Sequence, residues 1–491
     1  MKRKLINHLF LSLLFLSALS RAVAQTPLTL QDYLQQVKTQ GANYQNAITN
    51  RKMTDLNRQF IGQHWSGGIN LGGNYNASND NTYSFDTTTQ TYNNFNWYEQ
   101  DSANFSGGLN FNNNWDFGIN TNLSYTVYAY RDWYSDPPYP WLPYNYTSDN
   151  LRFSVGIPLW RNFLGAEIRA QDKSSLLGSD SNIDSNEYQI QLVLYTAKQA
   201  YYNLASVRAE VEYRREGLED YRRLSQWAEA HLSAQDRLQA RSAVKDWELA
   251  LENAEDRERQ ARNNFNLTRS KAGSEVPENL QTLEELNASD PRSWPSHSPD
   301  RLDLQAVRLG LESAKYSLLT AEEQDKLDVT LTGSIGGSFF TQSNYYPAPP
   351  PAGAPWWSQY SVGLNFSVPF ELFTNLWGIN LETQRMSFEE RTLGLATTEN
   401  ADTQQWEDMT LRYQKSDGRI QEAAQLVGDD KEKRDQGEAL FQKGRVDTFE
   451  MVSFVSQYFS ARMTYLSWIS QKLTLLDQSQ LYQAKAGEWK N

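Results

Sequence analysis

The chain has no cysteine. Disulfides are therefore excluded, and so is a lipid carried on an N-terminal cysteine. Histidine is nearly absent, with only His8, His64, His231 and His297 in 491 residues. Nucleophilic catalysis usually needs Ser or Cys beside His. The sequence also lacks Gly-x-Ser-x-Gly, a Walker loop, Gly-x-Gly-x-x-Gly and any His-x-x-x-His pair. Acid pairs such as Glu322-Glu323 and Asp429-Asp430 read as solvated helix faces, so no enzyme, cofactor or metal site is expected. Positive charge is in deficit, 46 Lys and Arg against 59 Asp and Glu, which argues against nucleic acid as a partner. Long apolar runs are missing beyond Leu5–Leu19, so no membrane-spanning helix is expected.

What is present begins with an export signal. Lys2, Arg3 and Lys4 form a basic n-region, Leu5–Leu19 an apolar h-region, and Ala22-Val23-Ala24 a cleavage site before Gln25. Removal of residues 1–24 leaves 42 basic against 59 acidic residues, a formal charge of −17. Aromatics make up 13% of the chain, with 15 Trp and 27 Tyr, and crowd into strand-like stretches. An exported chain without membrane helices and with aromatic-rich strands points to an outer-membrane β-barrel.

The organising pattern is a strand feeding a pair of very long helices, present twice. Leu151, Phe153, Val155, Ile157 and Leu159 alternate up to Pro158; no proline then occurs from Asn162 to Ala272. Ile190, Leu194, Ala197, Tyr201, Leu204, Val211 and Leu218 fall on a heptad seam, with Arg208 and Arg215 in two slots. A helix from Asn162 to about Leu232 would be roughly 105 Å long at 1.5 Å per residue. In the second half Val362, Leu364, Phe366, Val368 and Phe370 alternate around Pro369. Pro158–Gly273 is 115 positions and Pro369–Gly487 is 118, and both units close on Lys-Ala-Gly. Two internal repeats follow, residues 25–297 and 298–491. The first holds strands in 66–158, a helical hairpin in 162–272 and a linker in 284–297. The second holds strands in 327–370 and a hairpin in 376–486.

The rest of the chain fills in around these units. A first helix is expected from Thr29, its N-cap, to about Gln63. Strands carry Ile69, Leu71 and Tyr75; Phe105, Leu109 and Phe111; Trp115, Phe117, Ile119, Leu123, Tyr125 and Val127. Asn76–Ser102 and Arg131–Ser148 read as long loops, and Asn112–Asn114 as a short turn, the asymmetry of an outer-membrane barrel. In the last helix Phe449, Val452, Phe459, Met463, Leu466 and Leu473 sit on the seam. Long amphipathic helices and a few strands cannot satisfy themselves alone, so several copies must share one axis.

In this order the sequence resembles the TolC-type outer-membrane efflux proteins, the outer membrane factors. The resemblance covers nearly all of the mature chain. It is carried by Leu28-Thr29-Leu30 before Tyr33 and Leu34, by Ser298-Pro299-Asp300-Arg301-Leu302 opening the second repeat, by Pro158 and Pro369, and by Gly444-Arg445-Val446-Asp447-Thr448-Phe449-Glu450 at a hairpin tip. The resemblance implies an α+β membrane protein: a homotrimeric outer-membrane β-barrel continuous with a long α-helical coiled-coil periplasmic tunnel, in the outer membrane of a Gram-negative bacterium. It implies the exit duct of a tripartite efflux pump or a type I secretion system, a passive channel in outer-membrane lipid. Docking of a periplasmic adaptor (membrane fusion protein) and an inner-membrane transporter would open it. A structural stalk or adhesin without transport is the rival reading.

The family's tip acids map onto Glu450, while Ser453 stands where a second acid can be. An offset of 214, which lays Gly273 on Gly487, lays Asp236 on Glu450 and Ala230 on Gly444. Glu450 and Asp236 are therefore the expected channel constriction. Gly444, Arg445 and Val446 are the expected adaptor contacts. Pro158 and Pro369 mark the strand-to-helix transitions. Two departures stand out. The helix-to-strand junctions near Gln63-His64-Trp65 and Asp325-Lys326-Leu327 lack the proline of many relatives. The alternation also gives six strands, or 18 in a trimer, against the family's two plus two, or 12.

Overall fold

The structure, a computed structural model, describes residues 27–86, 88, 91–134, 145–273, 275–277, 279–298, 301–343, 357–367 and 378–483. The export signal, Pro369 and the second Lys-Ala-Gly lie outside the described residues. The chain folds as two compact units. One takes residues 57–179 and 309–394, the other the segments up to 56, 180–308 and from 395 onward. Each unit draws on both halves of the sequence.

The first unit is built on a six-stranded antiparallel sheet in the order β1-β2-β3-β4-β5-β6. Its strands are β1 (Trp65–Asp86), β2 (Thr91–Asn114), β3 (Asn120–Tyr134), β4 (Asn145–Pro158), β5 (Asp328–Ser343) and β6 (Trp357–Ser367). Among the described residues the strand count matches the alternation, and the pair β2–β3 lies in the same sheet as the rest. Two details differ from the sequence reading. The Asn- and Thr-rich stretch 76–102 is mostly strand, because β1 and β2 pair from Trp65↔Asn113 out to Asp86↔Thr91. Cross-strand hydrogen bonding overrides the weak strand preference of Asn. The β2–β3 turn is Trp115–Gly118, not Asn112–Asn114: Gly118 takes φ +89° and its N–H donates to Trp115 O at 2.7 Å. Trp115 and Phe117 therefore belong to the turn.

The second unit is helical. Its elements are drawn from α1 (Leu30–Gln40), α2 (Ala42–Gln59), α3 (Ala166–His231), α4 (Ala234–Thr268), α5 (Leu283–Ser289), α6 (Leu302–Gln324), α7 (Ile379–Phe441) and α8 (Thr448–Leu481). The expected first helix is broken at Gly41, where a Cβ would lie 2.5 Å from Val37 O and 2.7 Å from Thr268 O. Thr29 caps α1 as expected, its Oγ1 accepting from Asp32 N–H at 3.1 Å. The stretch read as a linker contains α5, whose Leu283 and Leu286 are buried.

The α3 seam is buried by other helices of the same chain. Ile190, Ala197, Tyr201 and Leu204 are 0% exposed, and Val211 and Leu218 are buried beside them. Tyr33 stacks on Phe265 with ring centroids 4.2 Å apart, and Tyr201 donates its hydroxyl to Leu28 O at 2.6 Å. Burial pushes both phenols up to about 12. A second core joins Leu218, Tyr221 and Trp247 to Phe441, Met451, Val455 and Phe459. Here α8 departs from the expected seam: Met451, Val455 and Tyr458 face inward, while Phe449 is 67% exposed. Along the α3–α4 hairpin, Arg215–Glu255 (2.8 Å), Arg222–Glu248 (3.1 Å) and Glu229–Arg241 (2.8 Å) repeat at heptad steps. Each exposed pair contributes roughly 0–1 kcal/mol, so they fix register more than stability.

Candidate functional site

The sheet has two chemically distinct faces. From the Trp65 end as far as the register shift after Asn81, pairing keeps odd residues of β1–β5 and even residues of β6 on one side. One row across it reads Phe111, Leu123, Phe153, Ile335 and Tyr360, and another Ile157, Leu331 and Leu364. These side chains are exposed, Ile69, Leu71, Tyr360 and Val362 by 73%, 74%, 84% and 82%. The opposite side carries Asn112, Asn122, Ser154, Ser334 and Ser361. Its hydrogen bonds run between strands: Asn122 Nδ2 to Asn110 Oδ1 at 2.8 Å, Ser334 Oγ with Ser361 Oγ at 2.7 Å, and Arg152 Nη2 to Ser334 Oγ at 3.3 Å. A sheet with a wet face and an exposed apolar face suits a wall between water and hydrocarbon. On β1 the exposed apolar stretch from Trp65 to Tyr75 is 11 residues, close to the ~9–11 that a tilted membrane strand needs.

One rim of the sheet is aromatic. Trp65, Trp115, Phe117, Trp160 and Phe163 all lie at the end where β1 starts, β2 turns into β3 and β4 stops, and all are exposed. Amphipathic rings gather at a lipid–water boundary for this reason. Pro158 closes β4 opposite Thr330. The helix does not follow at Asn162 but after a 3₁₀ turn, Phe163–Gly165. Asn162 caps α3, its Oδ1 accepting from the N–H groups of Glu167 (3.1 Å) and Ile168 (3.3 Å). Among the described residues no helix is long and apolar enough to cross a membrane.

The helical unit carries the expected tip residues at two hairpin turns. α7 ends in a Schellman turn: Gly444 N–H donates to Phe441 O and Arg445 N–H to Leu440 O, both at 2.9 Å. Gly444 sits at φ +69°, open to solvent. Gly444 and Arg445 are exposed; Val446 is half-buried against the tip core. Asp447 then caps α8, accepting from Glu450 N–H at 2.7 Å while Glu450 Oε2 accepts from Asp447 N–H at 3.4 Å. The other tip is built alike. Ser233 caps α4, and its hydroxyl donates to Asp236 Oδ2 at 2.6 Å. That bond holds the Asp236 carboxyl below its ordinary value. The offset of 214 thus aligns two N-caps and two third-position acids.

The two hairpins are fastened to each other near these tips. Arg434 of α7 donates to Asp220 of α3 at 3.2 Å and lies 4.4 Å from the Tyr458 ring. Arg462 of α8 pairs with Glu216 and lies 3.5 Å from the Tyr213 ring. Trp227 packs on Phe441 at 4.5 Å. The contacts between hairpins have no local sign in the sequence, since they join residues more than 200 positions apart.

The structure also gathers a group that the sequence did not flag. His64 Nε2 lies 2.7 Å from Asp172 Oδ2 and 3.7 Å from Asp116 Oδ1. Separations of 52 and 56 residues leave no motif to read.

No family model matches the chain, and no curated protein does. Solved structures do. The CusC channel aligns at TM-score 0.61 and 14% identity over 94% of this chain and 95% of its own. VceC, an outer-membrane protein of Vibrio cholerae, aligns at 0.57 and 16% over 92% and 95%. The open state of the MtrE outer-membrane channel of Neisseria gonorrhoeae aligns at 0.59 and 14% over 92% and 88%. Sheet, hairpins and these likenesses agree: the chain has the fold of the TolC-type outer-membrane channels.

Proposed function

We propose that this chain is the outer-membrane exit duct of a tripartite efflux pump or type I secretion system, acting as a homotrimer. The observation that supports it best is the sheet. Among the described residues it leaves β1 and β6 without a further neighbour, exposes an apolar face with an aromatic rim at one end, and lines the other face with Asn, Ser and Thr. Unpaired edges cannot persist in lipid, where each backbone group needs a partner. Copies joined β6 to β1 close the wall and place the polar face around water, with 18 strands in a trimer of six-stranded sheets.

In this reading the helices form the periplasmic tunnel, and Glu450 and Asp236 form its acidic narrowing. Both acids stand at the third position of their helices, Glu450 reaching back to the Asp447 N–H and Asp236 accepting from the Ser233 hydroxyl. Gly444 and Arg445 offer the adaptor a backbone turn and an exposed guanidinium, and Val446 holds the turn in place. Docking of the adaptor and inner-membrane transporter would loosen the Arg434 and Arg462 contacts. The mature chain in planar lipid bilayers should open cation-preferring pores. Glu450→Gln with Asp236→Asn should lower that preference roughly several-fold. Absence of conductance under all conditions would favour a structural stalk or adhesin.

A further inference from the structure

We propose that His64, Asp116 and Asp172 form a site for a divalent transition cation of the zinc class. Three separate segments converge there: the residue before β1, the β2–β3 turn and the second turn of α3. Their ligand atoms all lie within 4.8 Å of one another, and among the described residues no other trio of histidine and acid groups does so. The approach is enforced by backbone. Gly165 presses so close to the turn that a Cβ there would fall 1.8 Å from Asp116 O. Gly118 N and the Gly165 backbone face each other across the same contact.

The arrangement asks for more than a proton. Two carboxylate oxygens face a single ring nitrogen, and the one hydrogen that nitrogen can carry serves Asp172 at 2.7 Å and leaves Asp116 at 3.7 Å. A dication in place of that hydrogen engages all three. Zinc bonds of about 2.0–2.2 Å to nitrogen and oxygen require small movements: His64 and Asp172 part slightly and Asp116 swings in. The Asp116 side chain is 77% exposed and free to do so, while His64 and Asp172 are largely enclosed at 19% and 23%. One imidazole and two carboxylates favour zinc, nickel or cobalt over magnesium, which prefers oxygen alone. Three protein ligands leave a position for water.

Arg169 stands close by, but its guanidinium donates to the backbone carbonyls of Asp116 and Leu164 and not to the carboxylates. It weakens the site electrostatically without occupying a ligand atom. A bound cation would pin the β2–β3 turn and the start of β1 to α3, stiffening the junction of sheet and helix. This proposal concerns only the junction and holds whether or not the chain conducts.

The test is zinc titration of the full mature chain in detergent by calorimetry, with magnesium as the reference. One zinc per chain is expected, with affinity falling on the order of 10- to 100-fold in His64→Gln and in Asp172→Asn, a loss already seen for indirect partners of metals. His231→Gln and His297→Gln should bind as the parent does. Cobalt should give a visible absorption band in the parent that is absent from Asp116→Asn, whose exposed turn position keeps folding out of the comparison. Zinc should also slow hydrogen exchange in 115–118. No binding, binding unchanged in His64→Gln and Asp116→Asn, or binding lost only in His231→Gln or His297→Gln would each overturn the proposal.

Discussion

The sheet and the helical unit treat large apolar residues in opposite ways. On the sheet Ile69, Leu71, Tyr360 and Val362 are more than 70% exposed; among the helices Tyr33, Ile190, Phe265 and Ile469 are 0% exposed. Burial of a side chain of this size contributes about 1.5–3 kcal/mol. The helical unit therefore collects its hydrophobic stabilisation inside one chain. The sheet collects none on its apolar face until another apolar medium covers it. The two units present opposite surfaces to their surroundings.

The largest expected effect breaks the sheet's side of this contrast. Leu71→Arg should cost about 2–4 kcal/mol if that position meets the bilayer midplane, read as loss of folded protein in urea titrations of vesicle-inserted material. Asn122→Arg, on the polar face, should leave insertion intact. Comparable losses at both positions would mean that the faces are not divided between lipid and water.

Next in size is the helical core. Leu466→Ala should cost about 2–5 kcal/mol, seen as a lower midpoint of chemical unfolding. Leu411, 55% exposed on α7, should tolerate the same change unless another copy covers it. A large loss at Leu411 confined to oligomeric preparations would show that α7 is an interface. The heptad seam of α3 is covered within one chain, contrary to what its length suggests; apolar residues left open include Met386, Leu393 and Leu411 of α7, Leu238 and Leu249 of α4, and Met53 and Leu56 of α2.

Smaller effects sharpen the local picture. Gly444→Ala should destabilise the tip by about 1–2 kcal/mol, because φ +69° disfavours a Cβ. Gly428→Ala, mid-helix with open space around it, should stabilise by roughly 0.5–1 kcal/mol. The smallest effect is electrostatic. Burial, with Glu187 and Asp180 nearby, raises the Asp184 carboxyl to about 6 against the pull of Arg51. The folded state then holds a proton that the unfolded chain has released, so stability falls as pH rises from about 4 through 6. Asp184→Asn should raise the melting temperature above pH 6, by about 2 °C or more, and make no difference below pH 4.

Much of this was readable from residue spacing. Alternation at Ile69, Leu109, Leu123, Leu151, Leu331 and Val362 located six strands and their common face. The heptads of α3 located a long helix, and the cap at Thr29 located a helix start. What escaped was settled by distant partners. Asn-rich strands look like loops until their cross-strand bonds are counted. The break at Gly41 depends on Thr268, and the turn at Trp115 depends on Gly165. Phe449 left the seam because α8 presents Met451 and Val455 to Phe441 and Trp247. The trio around His64 has no sequence signature at all.

The account rests on copies of the sheet closing edge to edge. A chain without cysteine makes that directly measurable. Asn70→Cys on β1 can be combined in turn with single cysteines across positions 359–365 of β6, and the oxidised protein run under denaturing conditions. Covalent dimers and trimers at a subset of adjacent positions are the expected result; only monomers at every pairing, from protein that is folded in detergent, would contradict it.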